Sequence, residues 1–203
     1  MAKLYFRYSA MNAGKTTALI QVAHNYEENG RSVLIYTAAI DHRFGAGTVT
    51  SRLGISRSAH TFEATTRFGP VLDAHPDLAC LLIDEAQFLS IDQVRDLHRL
   101  AHTRGVPVIC YGIRSDFLGD PFPGAAYLLT LADSLEELKA ICSWGKKATM
   151  NPRVDERGAR IRSGDQIAIE GETRYLQMCG ECFYREDVSC LPLRGETAAA
   201  RIR

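Results

Sequence analysis

The chain has 203 residues, of which 46% are hydrophobic and 24% are charged, a composition typical of an ordinary globular protein. Its 24 basic and 24 acidic side chains cancel to a formal net charge of zero, so no overall positive field would attract nucleic acid or an anionic membrane. The longest apolar run, Leu78–Ile83, is far too short to cross a bilayer, and residues 1–10 do not resemble a secretory signal, so we expect a cytoplasmic protein.

Apolar strands and amphipathic helices alternate along the first half of the chain. The predicted elements are, in chain order, a strand at 3–8, a helix at 15–29, strands at 32–37 and 78–84, a helix at about 91–104 and a strand at 106–112. Ser90 and Gln93 have the spacing of a capping box at the start of the second helix. Because the strands are apolar throughout, these units predict an α/β fold with a parallel sheet that helices cover on both faces.

The rest of the chain divides into a loop, a small lobe and a tail. Residues 38–62 are polar, rich in Gly and Arg and poorly periodic, which is typical of a long functional loop. After about residue 141, Gly, Arg and charged residues dominate. We therefore expect an α/β nucleotide-binding domain at 1–140, a small cysteine-containing lobe of turns and hairpins at 141–192, and a flexible tail at 193–203.

The segment SAMNAGKT, residues 9–16, fits the phosphate-loop pattern G-x-x-x-x-G-K-[ST] except that Ser9 replaces the first glycine. Gly14 would let the backbone approach a phosphate oxygen, Lys15 would supply a positive charge, and Thr16 would offer its hydroxyl to Mg²⁺. The alternative is a helix that merely begins with Gly-Lys-Thr. The predicted nucleotide-binding residues of the loop are Ser9, Ala10, Met11, Asn12, Ala13, Gly14, Lys15 and Thr16.

Asp84 and Glu85 follow the predicted strand at 78–84. Since ligands bind outside the carboxyl ends of parallel strands, these carboxylates should meet the phosphate loop at one edge of the sheet. Asp84 fits a ligand for Mg²⁺, and Glu85 is suited to accept a proton from an attacking hydroxyl or water, or to orient it. The alternative is two surface carboxylates that cap a turn. The letters DEAQ at 84–87 also resemble a motif of RNA helicases, which need two motor domains and hence a longer chain.

Cysteines mark a candidate metal site in the small lobe. Cys179 and Cys182 have the C-x-x-C spacing of a zinc knuckle, and Cys142 is a third candidate ligand. Trp144 stands where a further sulfur would be expected, and Cys190 is an alternative fourth ligand. Two interpretations remain open at this point: a zinc site whose fourth ligand is unclear, or free thiols in a hairpin.

His98 and His102 lie four residues apart on the second predicted helix. This spacing can bind a metal, but no carboxylate motif accompanies the pair in the sequence. The apolar positions of the helix already define its buried side, so we expect both histidines at its solvated margin.

Six segments agree in order and spacing with one known family: LYFRYSAMNAGKTTALIQ, YTAAIDHRFGAG, LLIDEAQFL, CYGIRSDF, LLTLADSLEELKAIC and TRYLQMC. Together they resemble the type II thymidine kinases, which carry a zinc-binding lobe, and in particular their bacterial branch. The start of the phosphate loop at Ser9, in place of a glycine, also resembles that branch. The resemblance implies a P-loop NTPase-type parallel sheet flanked by helices, plus a small C-terminal zinc-ribbon-like lobe with a lasso loop.

The resemblance also implies residue roles. Glu85 would be the catalytic base that takes the proton of the nucleoside 5′-hydroxyl. Thr16 and Asp84 would hold Mg²⁺, and Cys142, Cys179 and Cys182 would hold structural Zn²⁺. The ATP site would include Lys15, Arg43, Asp84, Glu85, Ala86 and Gln87. The thymine ring would be enclosed by Met11, Phe88, Ile113, Phe117 and Phe122. The lasso that reads the base edge would be Ile167, Ala168, Ile169, Glu170 and Gly171, with Tyr175 bonded to the deoxyribose or to the lasso.

The implied reaction transfers the γ-phosphoryl group of ATP to thymidine, and also to deoxyuridine, giving dTMP in nucleotide salvage. The resemblance further implies a homotetramer and feedback inhibition by dTTP. Two other functions stay open: a P-loop NTPase whose hydrolysis drives a conformational switch, and a nucleic-acid adaptor that uses the cysteine lobe. ATP consumption that ignores nucleosides would indicate the first, and salt-sensitive binding to DNA or RNA the second.

Overall fold

A computed structural model describes residues 2–41, 45, 47–167 and 174–185 of the chain. No helix in these ranges combines the length and the apolar character needed to cross a membrane. The elements follow in the order β1 (Leu4–Tyr8), α1 (Lys15–Glu28), β2 (Ser32–Ala38), β3 (Thr48–Thr50), β4 (Ser56–Ser58), β5 (His60–Phe62), α2 (Phe68–Ala74), β6 (Leu78–Ile83), a 3₁₀ turn (Ala86–Phe88), α3 (Ile91–Arg104), β7 (Val108–Gly112), α4 (Pro123–Leu131), β8 (Ser134–Glu137), β9 (Arg153–Val154), β10 (Arg174–Tyr175) and α5 (Gly180–Tyr184).

The central sheet is parallel throughout. Within the described residues it has six strands in the order β5-β2-β6-β7-β1-β8, and every neighbouring pair is parallel. The central strands β6 and β7 are buried along almost their whole length. Burial on both faces explains why these two strands are continuously apolar rather than alternating. The predicted α/β class and parallel sheet are therefore confirmed.

Helices cover both faces of the sheet. Adjacent residues of β6 enter opposite clusters: Leu82 packs in the cluster that contains Leu19 of α1, and Leu81 in the cluster that contains Leu97 of α3. Burying one such leucine contributes roughly 1.5–3 kcal/mol. These contacts hold α1 against one face and thereby fix the loop that precedes it.

The six predicted elements are all present, with ends that differ by at most two residues. The capping box also forms: the Gln93 N–H donates to Ser90 Oγ at 3.2 Å, and the Ser90 N–H donates to Gln93 Oε1 at 2.9 Å. The loop predicted for residues 38–62 is partly wrong, because β3 and β4 form an antiparallel hairpin and β5 extends the sheet beside β2. Three-residue strands show no periodicity, so their pairing partners rather than their local sequence determine them.

A small lobe follows the sheet. Its strands β9 and β10 pair antiparallel, and an isolated bridge joins Met150 to Met178. A separate apolar cluster includes Cys142, Phe183 and Ala10. Because Ala10 belongs to the predicted phosphate loop, the lobe packs directly against that loop. The division of the chain at residue 141 stays a prediction.

Gly124→Ala should be strongly destabilising. Gly124 lies in the first turn of α4, and an added Cβ would be 2.3 Å from the Leu89 carbonyl oxygen and 2.9 Å from that of Gln87. Both neighbours are backbone atoms, so no side-chain rotation relieves the clash and α4 must move. We expect a loss of about 1–3 kcal/mol in the free energy of unfolding, measured as a lower urea midpoint.

Gly69→Ala is the matched control, since Gly69 lies within α2 and an added Cβ there meets nothing within 4 Å. That variant should be neutral or more stable, because alanine favours the helix. A Gly124→Ala protein as stable as Gly69→Ala would show that α4 does not need this close approach.

Candidate active site

The loop between β1 and α1 has the backbone shape of an anion-binding turn. Asn12 has φ 64° and Gly14 has φ 82°, and α1 begins immediately afterwards at Lys15. Left-handed residues in such a turn bring successive backbone N–H groups to one concave side at the start of a helix. The predicted segment 9–16 therefore has the conformation that phosphate binding needs.

Ser9 replaces a glycine without backbone strain, because its φ is not in the left-handed region. In the described part of the chain, the non-glycine residues with a left-handed φ are Asn12 and Glu85. Its hydroxyl donates to the Ala10 carbonyl at 2.7 Å and accepts from Lys15 Nζ at 3.1 Å. Lys15 Nζ also donates to the Ala10 carbonyl at 3.0 Å. The serine side chain thus helps to hold the lysine over the loop.

Thr16 and Asp84 meet at the carboxyl edge of the sheet. The Thr16 hydroxyl donates to Asp84 Oδ2 at 2.9 Å, and Asp84 is only 4% exposed. Burial, with the neighbouring Glu85 charge adding to it, raises the pKa of the Asp84 carboxyl to about 7. A hydroxyl and a carboxylate beside a phosphate loop fit a Mg²⁺ ion, which takes its remaining ligands from water and phosphate oxygens.

Glu85 is held in one orientation. Its φ of 50° is left-handed, a conformation that costs a non-glycine residue on the order of 1–3 kcal/mol and is concentrated at functional sites. Gln87 Nε2 donates to Glu85 Oε2 at 2.6 Å. Gln87 is itself buried, and its Oε1 accepts the Ile113 N–H at 3.2 Å. The buried amide therefore fixes the direction of the carboxylate.

One cavity of about 990 Å³ brings most of the predicted site residues together, a volume at the upper end of small-molecule sites. From the predicted nucleotide site it is lined by Met11, Asn12, Gly14, Lys15, Thr16, Asp84, Glu85 and Gln87. From the predicted base site it is lined by Phe88, Ile113, Phe117, Phe122, Ile167 and Tyr175. Four predicted residues do not line it: Ser9 is buried, Ala10 and Ala13 pack in the cluster of the small lobe, and Ala86 packs in the main core. The residues that lie outside the described ranges are Arg43, Ala168, Ile169, Glu170 and Gly171.

An aromatic slot forms the apolar part of the cavity. The rings of Phe88 and Phe122 meet edge to face, with centroids 5.6 Å apart and planes at 83°. Phe117 is buried, and the Arg153 guanidinium carbon lies 3.9 Å from its ring centroid. Aromatic walls with a few fixed polar groups suit a flat heteroaromatic ring.

Several polar side chains that the sequence did not reveal join the lobe to this cavity. Asn151 Oδ1 accepts the Met11 N–H at 2.7 Å, and the Gln177 amide donates to the Met11 carbonyl. Asp116 Oδ1 accepts three backbone N–H groups of its own loop, and its Oδ2 accepts from Gln166 Nε2 at 3.1 Å. The contacts to Met11 span 140 and 166 positions, so no local motif could signal them.

Three buried cysteines form a candidate zinc site. The Sγ atoms of Cys142, Cys179 and Cys182 lie within 4.8 Å of one another. The Cys182 N–H donates to Cys179 Sγ at 3.5 Å, which lowers the pKa of the Cys179 thiol. The three thiols fit part of a tetrahedral zinc site, which takes four ligands. Trp144 is 58% exposed and its indole has only a donor, so it is not the fourth ligand, and Cys190 lies outside the described residues.

Comparison with known proteins gives a consistent result. A family model described as thymidine kinase matches residues 2–183. A thymidine kinase of Albidiferax ferrireducens is 59% identical over 184 residues, which cover 91% of this chain and 93% of that protein. A thymidine kinase of Chromobacterium violaceum is 53% identical over 186 residues, which cover 92% of this chain and 100% of that protein. A thymidine kinase of Idiomarina loihiensis is 56% identical over 182 residues, which cover 88% of this chain and 94% of that protein.

Proposed function

The chain belongs to the thymidine kinase family and is a phosphate-transferring enzyme, and we propose that it converts ATP and thymidine into ADP and dTMP for nucleotide salvage. The observation that carries this reaction is the shared cavity, in which the anion-binding loop, the Thr16–Asp84 pair, Glu85 and the aromatic slot face one space. Deoxyuridine lacks only the ring methyl group, and an apolar pocket discriminates one such group by about 1–3 kcal/mol, so it should be a poorer second substrate.

The phosphates of ATP would lie against the loop at residues 9–16. Lys15 Nζ now bonds to Ser9 Oγ and to the Ala10 carbonyl, and it can exchange these contacts for phosphate oxygens. Thr16 and Asp84 would hold Mg²⁺, which when bound neutralises charge on the β- and γ-phosphates. Arg43 would add positive charge near the transferred group.

Glu85 would act as the general base. As the thymidine 5′-oxygen forms its bond to the γ-phosphorus, the bond to the ADP oxygen breaks and the hydroxyl proton passes to the Glu85 carboxylate. Gln87 supports this role because its 2.6 Å hydrogen bond orients the carboxylate before the substrate binds. Most of the rate enhancement then comes from positioning and electrostatics.

The small lobe would complete the nucleoside site. Thymine would lie in the slot formed by Met11, Phe88, Ile113, Phe117 and Phe122, and the backbone of residues 167–171 would read the base edge. Ile167 supports this arrangement, since it packs against the main core and lines the cavity. Tyr175 would contact the deoxyribose or the lasso. Zn²⁺ held by Cys142, Cys179 and Cys182 would stiffen the base of the lobe.

We also propose a cytoplasmic homotetramer that dTTP inhibits, as the family resemblance implies. The five described cysteines form no disulfide with one another, as expected in a reducing compartment. dTTP combines the thymine of the acceptor with a triphosphate like that of ATP, so the two halves of the cavity are chemically suited to it. Light scattering would test whether the protein is a tetramer, and inhibition kinetics would test whether dTTP inhibits it.

A phosphate-transfer assay across a nucleoside panel tests the function. We expect ADP release that depends on thymidine, a kcat/KM for deoxyuridine about 10- to 200-fold lower, and little turnover of purine nucleosides, whose rings are larger than thymine. ADP release that is the same with and without nucleosides would instead indicate a P-loop NTPase, and would contradict the kinase reaction proposed here.

A further inference from the structure

A second group of metal-ligating side chains lies outside the cavity. His98 and His102 are in the C-terminal half of α3, and Asp133 follows the end of α4. One ring nitrogen of each histidine and a carboxylate oxygen of Asp133 all lie within 4.8 Å of one another. The cavity lining includes none of these three residues.

The carboxylate comes from a distant part of the chain, which is why the sequence showed only the two histidines. Their spacing turns both rings to one face of α3, with ring centroids 4.7 Å apart. Asp133 lies 31 positions beyond His102. Its N–H donates to the Leu4 carbonyl at 2.9 Å and its Oδ2 accepts the Leu4 N–H at 2.8 Å, so it is fixed at the start of β1.

The distances are close to those of a metal site. His102 Nε2 lies 3.1 Å from both Asp133 oxygens, and His98 Nε2 lies 3.9 Å from Asp133 Oδ1. Ligand atoms bound about 2.0–2.2 Å from a tetrahedral ion are roughly 3.3–3.6 Å apart, so the 3.9 Å separation of His98 Nε2 from Asp133 Oδ1 would have to shorten by roughly 0.3–0.6 Å. The three side chains are 33%, 30% and 23% exposed, which leaves an ion access and room for water ligands.

We propose that His98, His102 and Asp133 form a surface site for a divalent transition metal of the Zn²⁺ or Ni²⁺ class. Two imidazoles and one carboxylate suit these ions, whereas Mg²⁺ and Ca²⁺ prefer oxygen ligands alone. The Leu4 N–H orients the carboxylate, as groups that bond to metal ligands commonly do.

The role of this site is structural rather than catalytic. The ion joins α3 to Asp133 at the end of α4, which is itself hydrogen-bonded to Leu4 at the start of β1, so it stabilises the native state by mass action. Leu4 is the first residue of β1, and the phosphate loop starts five positions later at Ser9. At about 3.3 Å per residue, Leu4 lies roughly 17 Å from the start of that loop, so an ion held next to Leu4 is too far away to touch a transferred phosphate.

Ni²⁺ titration of the full-length protein tests this site. Calorimetry should show one Ni²⁺ equivalent more for the wild type than for His98→Ala/His102→Ala. Any Ni²⁺ that binds to the three cysteines is the same in both proteins, so the difference reports the histidine site alone. Excess Ni²⁺ should also raise the melting temperature of the wild type more than that of the double variant. His24→Ala is the matched control, since His24 is another exposed helix histidine, paired with Glu28, and should behave like the wild type.

Two further measurements keep the test decisive. Asp133→Asn retains an oxygen for the Leu4 N–H and should weaken Ni²⁺ binding at this site by about tenfold or more. Turnover of the double variant with Mg²⁺ should equal that of the wild type, so this test is independent of the kinase reaction. Equal Ni²⁺ stoichiometry and equal thermal stabilisation in the wild type, Asp133→Asn and the double variant would overturn the site.

Discussion

Glu85→Gln should leave ATP binding close to that of the wild type and lower kcat by about 10²–10⁴-fold. Glutamine has the shape of glutamate but cannot take the proton of the 5′-hydroxyl as the phosphoryl group moves. The oxygen that accepts from Gln87 Nε2 is retained, so the local hydrogen bond can persist. Because the lost interaction belongs to the transition state, KM should change little while kcat falls.

Steady-state kinetics and a direct ATP-binding measurement would separate these effects. Glu28→Gln is a suitable control, because Glu28 is an exposed glutamate on α1 and pairs with His24. That control should have wild-type values of kcat and KM. Wild-type turnover in Glu85→Gln would mean that another group accepts the proton, and loss of ATP binding would mean that Glu85 acts on the nucleotide rather than on the acceptor.

The parts of the site that are local in the chain could be predicted from the sequence. A strand, a turn and a helix in succession identify the phosphate loop, and Asp84 and Glu85 directly follow an apolar strand. Parallel topology then supplies the long-range step, because the carboxyl ends of β1 and β6 lie at the same edge of the sheet. The hydrogen bond between Thr16 and Asp84, 68 positions apart, follows from that rule.

The contacts that escaped prediction have no local pattern. Asn151 accepts the Met11 N–H and Gln177 donates to the Met11 carbonyl, yet no spacing in the sequence relates either residue to the phosphate loop, although Gln177 lies in the segment TRYLQMC. Asp133 approaches His102 because separate elements pack together, and no spacing in the sequence encodes that approach. Periodicity reports which face of an element is buried, whereas single polar contacts between elements depend on the finished fold.

Asp84→Asn should raise the stability of the metal-free protein. The pKa of Asp84 is raised from 3.8 to about 7, mainly by burial and further by the Glu85 charge, and the hydrogen bonds from Thr16 and the Glu85 N–H, together with the Lys15 charge, offset this only in part. The native protein therefore keeps this proton up to about pH 7, whereas the unfolded chain releases it near pH 3.8. As pH rises between these values, the free energy of unfolding of the wild type falls, and asparagine removes that loss.

Thermal melts in a chelator from pH 4 to pH 8 would measure this effect. The melting temperature of Asp84→Asn should exceed that of the wild type at pH 8, by about 2–4 °C for each kcal/mol gained, and the difference should shrink toward pH 4. Asp73→Asn changes an exposed carboxylate that pairs with Arg104, and it should show no such pH-dependent gain.

The same substitution should nearly abolish catalysis, because the amide is a poor ligand for Mg²⁺. A bound metal supplies several kcal/mol of charge stabilisation, and each 1.4 kcal/mol lost is about a tenfold loss in rate, so kcat/KM should fall by at least about 10²-fold. Mg²⁺ with ATP should raise the melting temperature of the wild type far more than that of Asp84→Asn.

A gain in stability with a loss of activity is the result expected of a buried carboxylate whose function is to bind a cation. If Asp84→Asn melted below the wild type at pH 8 without metal, the buried charge would not oppose folding and this account of Asp84 would be wrong.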